Sequence, residues 1–167
     1  MLYNSNLEEI IFNRHEHIRS DELIIVSGYV GPNQIVRLEG LPFHSTVIYG
    51  MHGSKSISPR LHNSLVNLQG TIQNVNIYYS KLPVHSKCYV WKNQNEIIHA
   101  LIGSANFTTS GLTTPYREIL AETTTDTFDP LNEYITRIRN NSILCTEATV
   151  RAEAPKPVEG QVKTSYC

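Results

Sequence analysis

Cysteine is scarce in this chain, methionine and tryptophan scarcer still: three, two and one among 167 residues. Cys88, Cys145 and Cys167 form neither a metal-ligand spacing nor a disulfide framework, which predicts a reducing, cytoplasmic setting. No apolar run nears the ~18 residues of a membrane span. The opening MLYNSNLEEI lacks the basic start and apolar stretch of a secretory leader. These absences argue against secretion and membrane insertion. Charge is also modest: 17% of residues are charged and the net charge is −1, too little for a nucleic-acid binder that works by bulk charge. The sequence shows no carboxylate cluster for a hard cation, no internal repeat, and no helix-turn-helix or zinc finger to read a major groove.

What is present describes a soluble globular domain. At roughly 100–200 residues per domain the length predicts one unit. We place it at residues 1–147, followed by a tail or linker at 148–167, where Ala154-Pro155-Lys156-Pro157 and Gly160 interrupt any apolar period. Apolar residues make up 40%, enough for a core that needs no metal or disulfide staple. The charge is unevenly spread. Residues 40–95 hold Lys55, Arg60, Lys81, Lys87 and Lys92 and no Asp or Glu. Such a stretch can form a local positive face, although in a Ser/Asn-rich region chance produces the same pattern.

Apolar spacing sets out the elements. Leu7, Ile10, Ile11 and Ile18 predict an amphipathic helix over 6–19. Short apolar runs at 23–26 and 46–50 predict strands. Ser58-Pro59 reads as an N-cap with proline in the first turn, opening a helix that Gly70 should stop. Residues 75–79 alternate as a strand. Over 84–91 the alternation puts Val84, Ser86, Cys88 and Val90 on one face, and His85, Lys87, Tyr89 and Trp91 on the other. Residues 97–102 are almost wholly apolar, which predicts a strand buried on both sides. A polar loop bounded by Gly103 and Gly111 follows, then a strand over 117–122 and a helix carried by Phe128, Leu131, Ile135 and Ile138. Early βα alternation followed by consecutive strands predicts an α/β fold, a mixed sheet with helices packed on it.

One constellation carries chemistry. His85-x-Lys87 supplies a nucleophile and a cation on one strand face. The next strand delivers Gly103-Ser104-Ala105-Asn106 at its end, where small residues let backbone approach a ligand and polar groups can donate to an anion. Glu118 opens the following strand as a carboxylate. Tyr89 and Trp91 share the face of His85 and read as ordinary packing. Cys88 reads as inert and His99 as a core histidine. His15 and His17 point apart on a helix and make poor joint ligands.

His85-x-Lys87, Gly103-Ser104-x-Asn106 and Glu118 together resemble the signature of the phospholipase D superfamily. The similarity is greatest to its nuclease branch, NgoFVII-type restriction endonucleases above all, whose catalytic domain also opens with a helix and a strand ending like Ser27-Gly28-Tyr29-Val30. The resemblance implies a phospholipase D-like fold and a metal-independent DNA endonuclease with no cofactor. It implies that His85 attacks phosphorus to give a phosphohistidine, that Lys87, Ser104 and Asn106 hold phosphate oxygens, and that Glu118 orients an imidazole. Lys55, Arg60, Lys81 and Lys92 are the candidates for tracking DNA phosphates, though each taken alone reads first as a solvated side chain. One position departs from the pattern. The superfamily pattern continues from the lysine through four residues to an aspartate, and here that place is Lys92; several nuclease-branch members also lack this aspartate and rely on the later glutamate. The motif occurs once where the mechanism needs two imidazoles, so the sequence predicts a homodimer sharing one site. The resemblance further implies a C-terminal or separate sequence-recognition domain as partner, and no membrane. The alternatives are an inactive DNA-binding or assembly module of the same fold, or a lipid phosphodiesterase or phosphatidyltransferase.

Overall fold

A six-residue segment that reads Glu-Leu-Ile-Ile-Val-Ser has apolar side chains pointing both ways, so it is stable only where both faces of a sheet are covered. In the computed structural model, which describes residues 1–54 and 57–150, this strand, β2 (Glu22–Ser27), is central in an eight-stranded sheet. The others are β1 (Leu2–Tyr3), β3 (His44–Tyr49), β4 (Val75–Ser80), β5 (Lys87–Asn93), β6 (Glu96–Gly103), β7 (Leu120–Glu122) and β8 (Ser142–Leu144). Their order across the sheet is β1-β7-β6-β5-β2-β3-β4-β8. Strands β2, β3 and β4 run parallel and every other neighbouring pair is antiparallel, so the sheet is mixed, as the sequence predicts.

Helices flank both faces unequally. On one side α1 (Leu7–Asn13), α2 (Pro32–Leu38) and α3 (Pro59–Thr71) bury Leu7, Ile11, Ile35, Leu38 and Leu65 against Ile25, Val47, Tyr89 and Trp91. On the other, α5 (Phe128–Asn140) packs Ile135 and Ile138 against Val26, Ile48, Cys88 and Val90. The predicted split of β5 holds from Lys87 onward, with Tyr89 and Trp91 fully buried as packing residues, but residues 84–86, expected within the strand, form the loop that enters it. A short α4 (Thr109–Thr113) follows the Gly103 loop, inside a stretch expected to be irregular.

Several boundaries differ from expectation for local reasons. The first helix ends at Asn13 and passes into a tighter 3-10 turn, Arg14–Glu16; this turn still brings Ile18 against the core, which is why the apolar spacing ran on. Ser58 does cap α3, its Oγ accepting from the Leu61 amide at 3.2 Å. Helix α3 runs one residue past Gly70, to Thr71, and the Ile72 amide still donates to the Leu68 carbonyl at 2.9 Å; glycine there costs no more than about 1 kcal/mol of propensity. Strand β6 is not buried on both sides. The β5–β6 register slips between Trp91 and Lys92, which leaves Ile98 as the extra residue of a bulge and 37% exposed. Ile102 lies opposite Cys88 past the reach of α5 and is 41% exposed. Glu118 precedes β7 instead of opening it. Among the described residues no helix is long and apolar enough to cross a membrane.

Candidate active site

Strand directions collect the candidate residues at one end of the sheet. Antiparallel pairing sets the start of β5 beside the end of β2, with Cys88 opposite Val26. It also sets Lys87 opposite Gly103 at the end of β6, and Gly103 opposite Leu120 at the start of β7. The segments following β2, β3, β4 and β6 and preceding β5 and β7 thus converge. Two glycines make the approach possible. A Cβ on Gly50 would lie 2.1 Å from the Val84 carbonyl oxygen, and one on Gly103 would lie 2.0 Å from that of Ile119. Backbone touches backbone there, so no larger residue fits.

His85 stands exposed on the loop entering β5. Its ring is edge-on to Tyr29, with centroids 6.3 Å apart, and passes close over Gly28. Lys87 is buried to 7% exposure. Its Nζ donates to the His85 carbonyl at 2.6 Å and lies 3.1 and 3.2 Å from the two ring nitrogens. Burial lowers the Lys87 pKa from its ordinary value, and the Glu118 carboxylate works in the opposite direction. Imidazole, ammonium and carboxylate therefore form one electrostatic group.

Asn106 is held from behind. Its Oδ1 accepts from the Tyr29 amide at 3.3 Å and lies 3.2 Å from Ser27 Oγ, which leaves its N–H groups for the site. Ser104 is tied sideways: its amide donates to the Ile119 carbonyl and its Oγ accepts from the Ile119 amide, both at 3.0 Å. It thereby pins the segment bearing Glu118, while its hydroxyl proton stays available.

Ser27 borders the candidate site, although it is not among the residues predicted for it. Fully buried, its Oγ donates to the Tyr29 carbonyl at 2.5 Å and accepts from the Phe107 amide at 2.9 Å. One hydroxyl thus joins the ends of β2 and β6, and the Ser27-Gly28-Tyr29-Val30 segment is where a signal lay. A second polar cluster sits behind it. Tyr79 is buried, its hydroxyl 2.9 Å from His62 Nδ1 and its ring 5.0 Å from that of His52. Burial lowers the pKa of both histidines. It raises that of Tyr79, and pushes that of Tyr49 up to about 12.

Of the four proposed phosphate-tracking residues, the three that are described lie apart. Lys81 is exposed on the loop that carries His85, and Arg60 is exposed in the first turn of α3. Lys55 lies outside the described residues, as do Cys167 and most of the expected tail. Lys92 is buried at the far end of β5, opposite Glu22. At ~3.3 Å per residue it is ~16 Å from Lys87, so the side chain at that position makes no contact with His85. His99 is not a fully satisfied core histidine: its ring packs on Trp91, but its buried Nε2 has no partner among the described residues. Among these residues no three His, Cys, Asp or Glu side chains are grouped to hold a metal ion.

The family described as the NgoFVII restriction endonuclease N-terminal PLD domain matches residues 5–152, a span that contains every one of these groups. The chain belongs to that family. Solved structures agree on the fold of this PLD domain. NucT from Helicobacter pylori superposes with a TM-score of 0.63 at 12% identity, covering 86% of this chain and 97% of NucT. Nuc from Salmonella typhimurium, a phospholipase D family member, gives 0.55 at 10% identity, covering 82% and 89%. Polyphosphate kinase from Porphyromonas gingivalis gives 0.50 at 16% identity, and the PLD domain spans 26% of that larger chain. No curated protein matches the sequence.

Proposed function

We propose that this PLD domain is a DNA endonuclease that works without metal, through a covalent phosphohistidine, at a site shared by two copies of the chain. The observation that carries the reading is the gathering of His85, Lys87, Asn106 and Glu118 at one sheet end, with the imidazole exposed and its partners buried or braced. A phosphodiester repels nucleophiles, and a neutral imidazole beside an ammonium offsets that repulsion. In the proposed first step a ring nitrogen of neutral His85 bonds to phosphorus and the bond to the leaving oxygen breaks. The partner subunit's His85, as imidazolium, gives its proton to that oxygen. In the second step water attacks phosphorus, its proton passes to the same partner imidazole, and the P–N bond breaks to restore His85. Lys87, Ser104 and Asn106 neutralise the non-bridging oxygens in both steps. Glu118 orients an imidazole and sustains the charge on Lys87.

The shared site has support on the surface. Ile102 and Ile119, which is 47% exposed, lie on the part of the sheet that α5 leaves open. A two-fold axis there would cover this apolar strip with its own copy. Base specificity would come from a C-terminal or separate recognition domain, and Lys81 and Arg60 would guide the phosphate backbone.

The test is plasmid cleavage in excess EDTA by the parent chain, His85→Ala and Lys87→Ala, with labelled DNA to trap the protein–phosphate adduct. Cutting by the parent alone, with an acid-labile adduct and a sedimenting dimer, is expected. Loss of cutting in EDTA, or undiminished cutting by His85→Ala, refutes the reading.

A further inference from the structure

A groove of about 260 Å³ runs from His85 to the second half of α5. Val84 and Ile138 form its buried floor, while Leu82, Pro83 and Tyr134 form apolar walls. Arg137 closes the far end, and no acidic residue lines it. Nothing in the proposed phosphoryl-transfer chemistry uses these side chains. We propose that this groove seats the nucleotide adjoining the scissile phosphate, with Arg137 gripping the neighbouring phosphate and the apolar walls facing the base. The inference rests on the nuclease reading above and extends it to a flanking subsite.

Three features support it. First, the groove is continuous with the catalytic imidazole, so a strand bound at His85 has to enter or leave beside it. Second, its position relative to His85 is fixed. The Tyr134 hydroxyl and Ser86 Oγ are 2.7 Å apart, which ties α5 to the residue between His85 and Lys87. Arg137 follows Tyr134 by three residues, hence on the same side of the helix. Third, its cation is uncommitted. Arg139, on the same helix, lies over the Tyr78 ring at 3.5 Å, and Arg37 pairs with Glu8 while covering Phe12. Arg137 is exposed and engages no carboxylate among the described residues. A guanidinium suits a phosphate better than an ammonium because it presents a planar fork of donors. The volume lies just below the about 300–1,000 Å³ of small-molecule sites, a size for one ring system and not for a longer segment.

The experiment uses the full chain carrying His85→Ala, so that bound DNA is not cut, and follows the anisotropy of a fluorescein-labelled oligonucleotide over a salt series. Adding Arg137→Gln should raise Kd about tenfold and lower the slope of log K against log salt by about one. Arg137→Lys should recover part of the affinity. Arg19→Gln, which removes a charge at the opposite end of the sheet, should leave Kd within about twofold. Equal binding by Arg137→Gln and its parent overturns the proposal, and so does an equal loss with Arg19→Gln. Cleavage by the unsubstituted chain is judged separately. A protein that needs Arg137 to bind DNA but never cuts keeps the groove and loses the endonuclease.

Discussion

Replacing Gly28 with alanine separates the site from the fold. Gly28 is buried at the end of β2, and its φ lies outside the left-handed region, so alanine is compatible with the backbone. The new methyl would meet Met51 Cγ and Asn106 Oδ1 at 3.4 Å, ordinary contact, but His85 Cδ2 at 3.1 Å. Only the imidazole is crowded, and as an exposed side chain it can yield by a few tenths of an ångström. Loss of unfolded-state freedom should contribute about 0.4–1 kcal/mol of stability, so the unfolding midpoint should hold or rise. Activity should go the other way. A displacement of ~1 Å in a reacting group costs ~10²-fold in rate, so a few tenths should cost about tenfold. The assay pairs single-turnover DNA cleavage with thermal unfolding of the same preparations. A Gly28→Ala protein that cuts at the parental rate, or that unfolds more than about 2 kcal/mol more easily, refutes the account of how His85 is seated.

Three further outcomes are expected. Ser27→Ala leaves the buried Phe107 amide without its acceptor and should lower stability by about 1–3 kcal/mol in urea titration, with cleavage also reduced because the tie between the ends of β2 and β6 is lost. An unchanged midpoint contradicts the bridging role. His52 and His62 have pKa values lowered by burial. As pH falls through about 6.5 the unfolded chain therefore takes up protons first. Their contribution is full above that pH and is lost below it, so the urea midpoint should decline from about pH 6.5 downward, less steeply in His62→Gln. The Glu122 carboxylate, held low chiefly by the Tyr3 hydroxyl, adds a second decline that begins only below about pH 4.5. Burial pushes the Cys88 and Cys145 thiols up to about 11. In a Cys167→Ser background they should resist a disulfide reagent at pH 8 until the protein is unfolded, and rapid native labelling would refute their burial.

What could be read from the sequence follows how local each determinant is. The two faces of β5 are written in strict alternation, and His85, Lys87, Ser104 and Asn106 stand on or beside strands whose ends can be located. Helix α2 escaped because its cap is a glycine with no side-chain bond and only Gln34, Ile35 and Leu38 are buried, too few to establish a period. Strand β8 is three half-buried residues whose identity comes from pairing with Tyr78, Tyr79 and Ser80. Composition alone overstates the burial of β6, because it reveals neither a bulge nor where α5 stops. Ser27 is the instructive case. Its partner Phe107 is 80 residues away, and no window of neighbouring residues contains that relation.

In the proposed enzyme, the ammonium of Lys87, resting on the carbonyl and ring of its own neighbour His85, would make the centre selective before any chemistry begins. A newcomer must displace a peptide oxygen that costs nothing to recruit. Anionic oxygens do so readily, since charge-assisted bonds are about twice as strong as neutral ones. Uncharged esters and amides have no such advantage. The arrangement would act as a filter for negative charge, built from a single tripeptide.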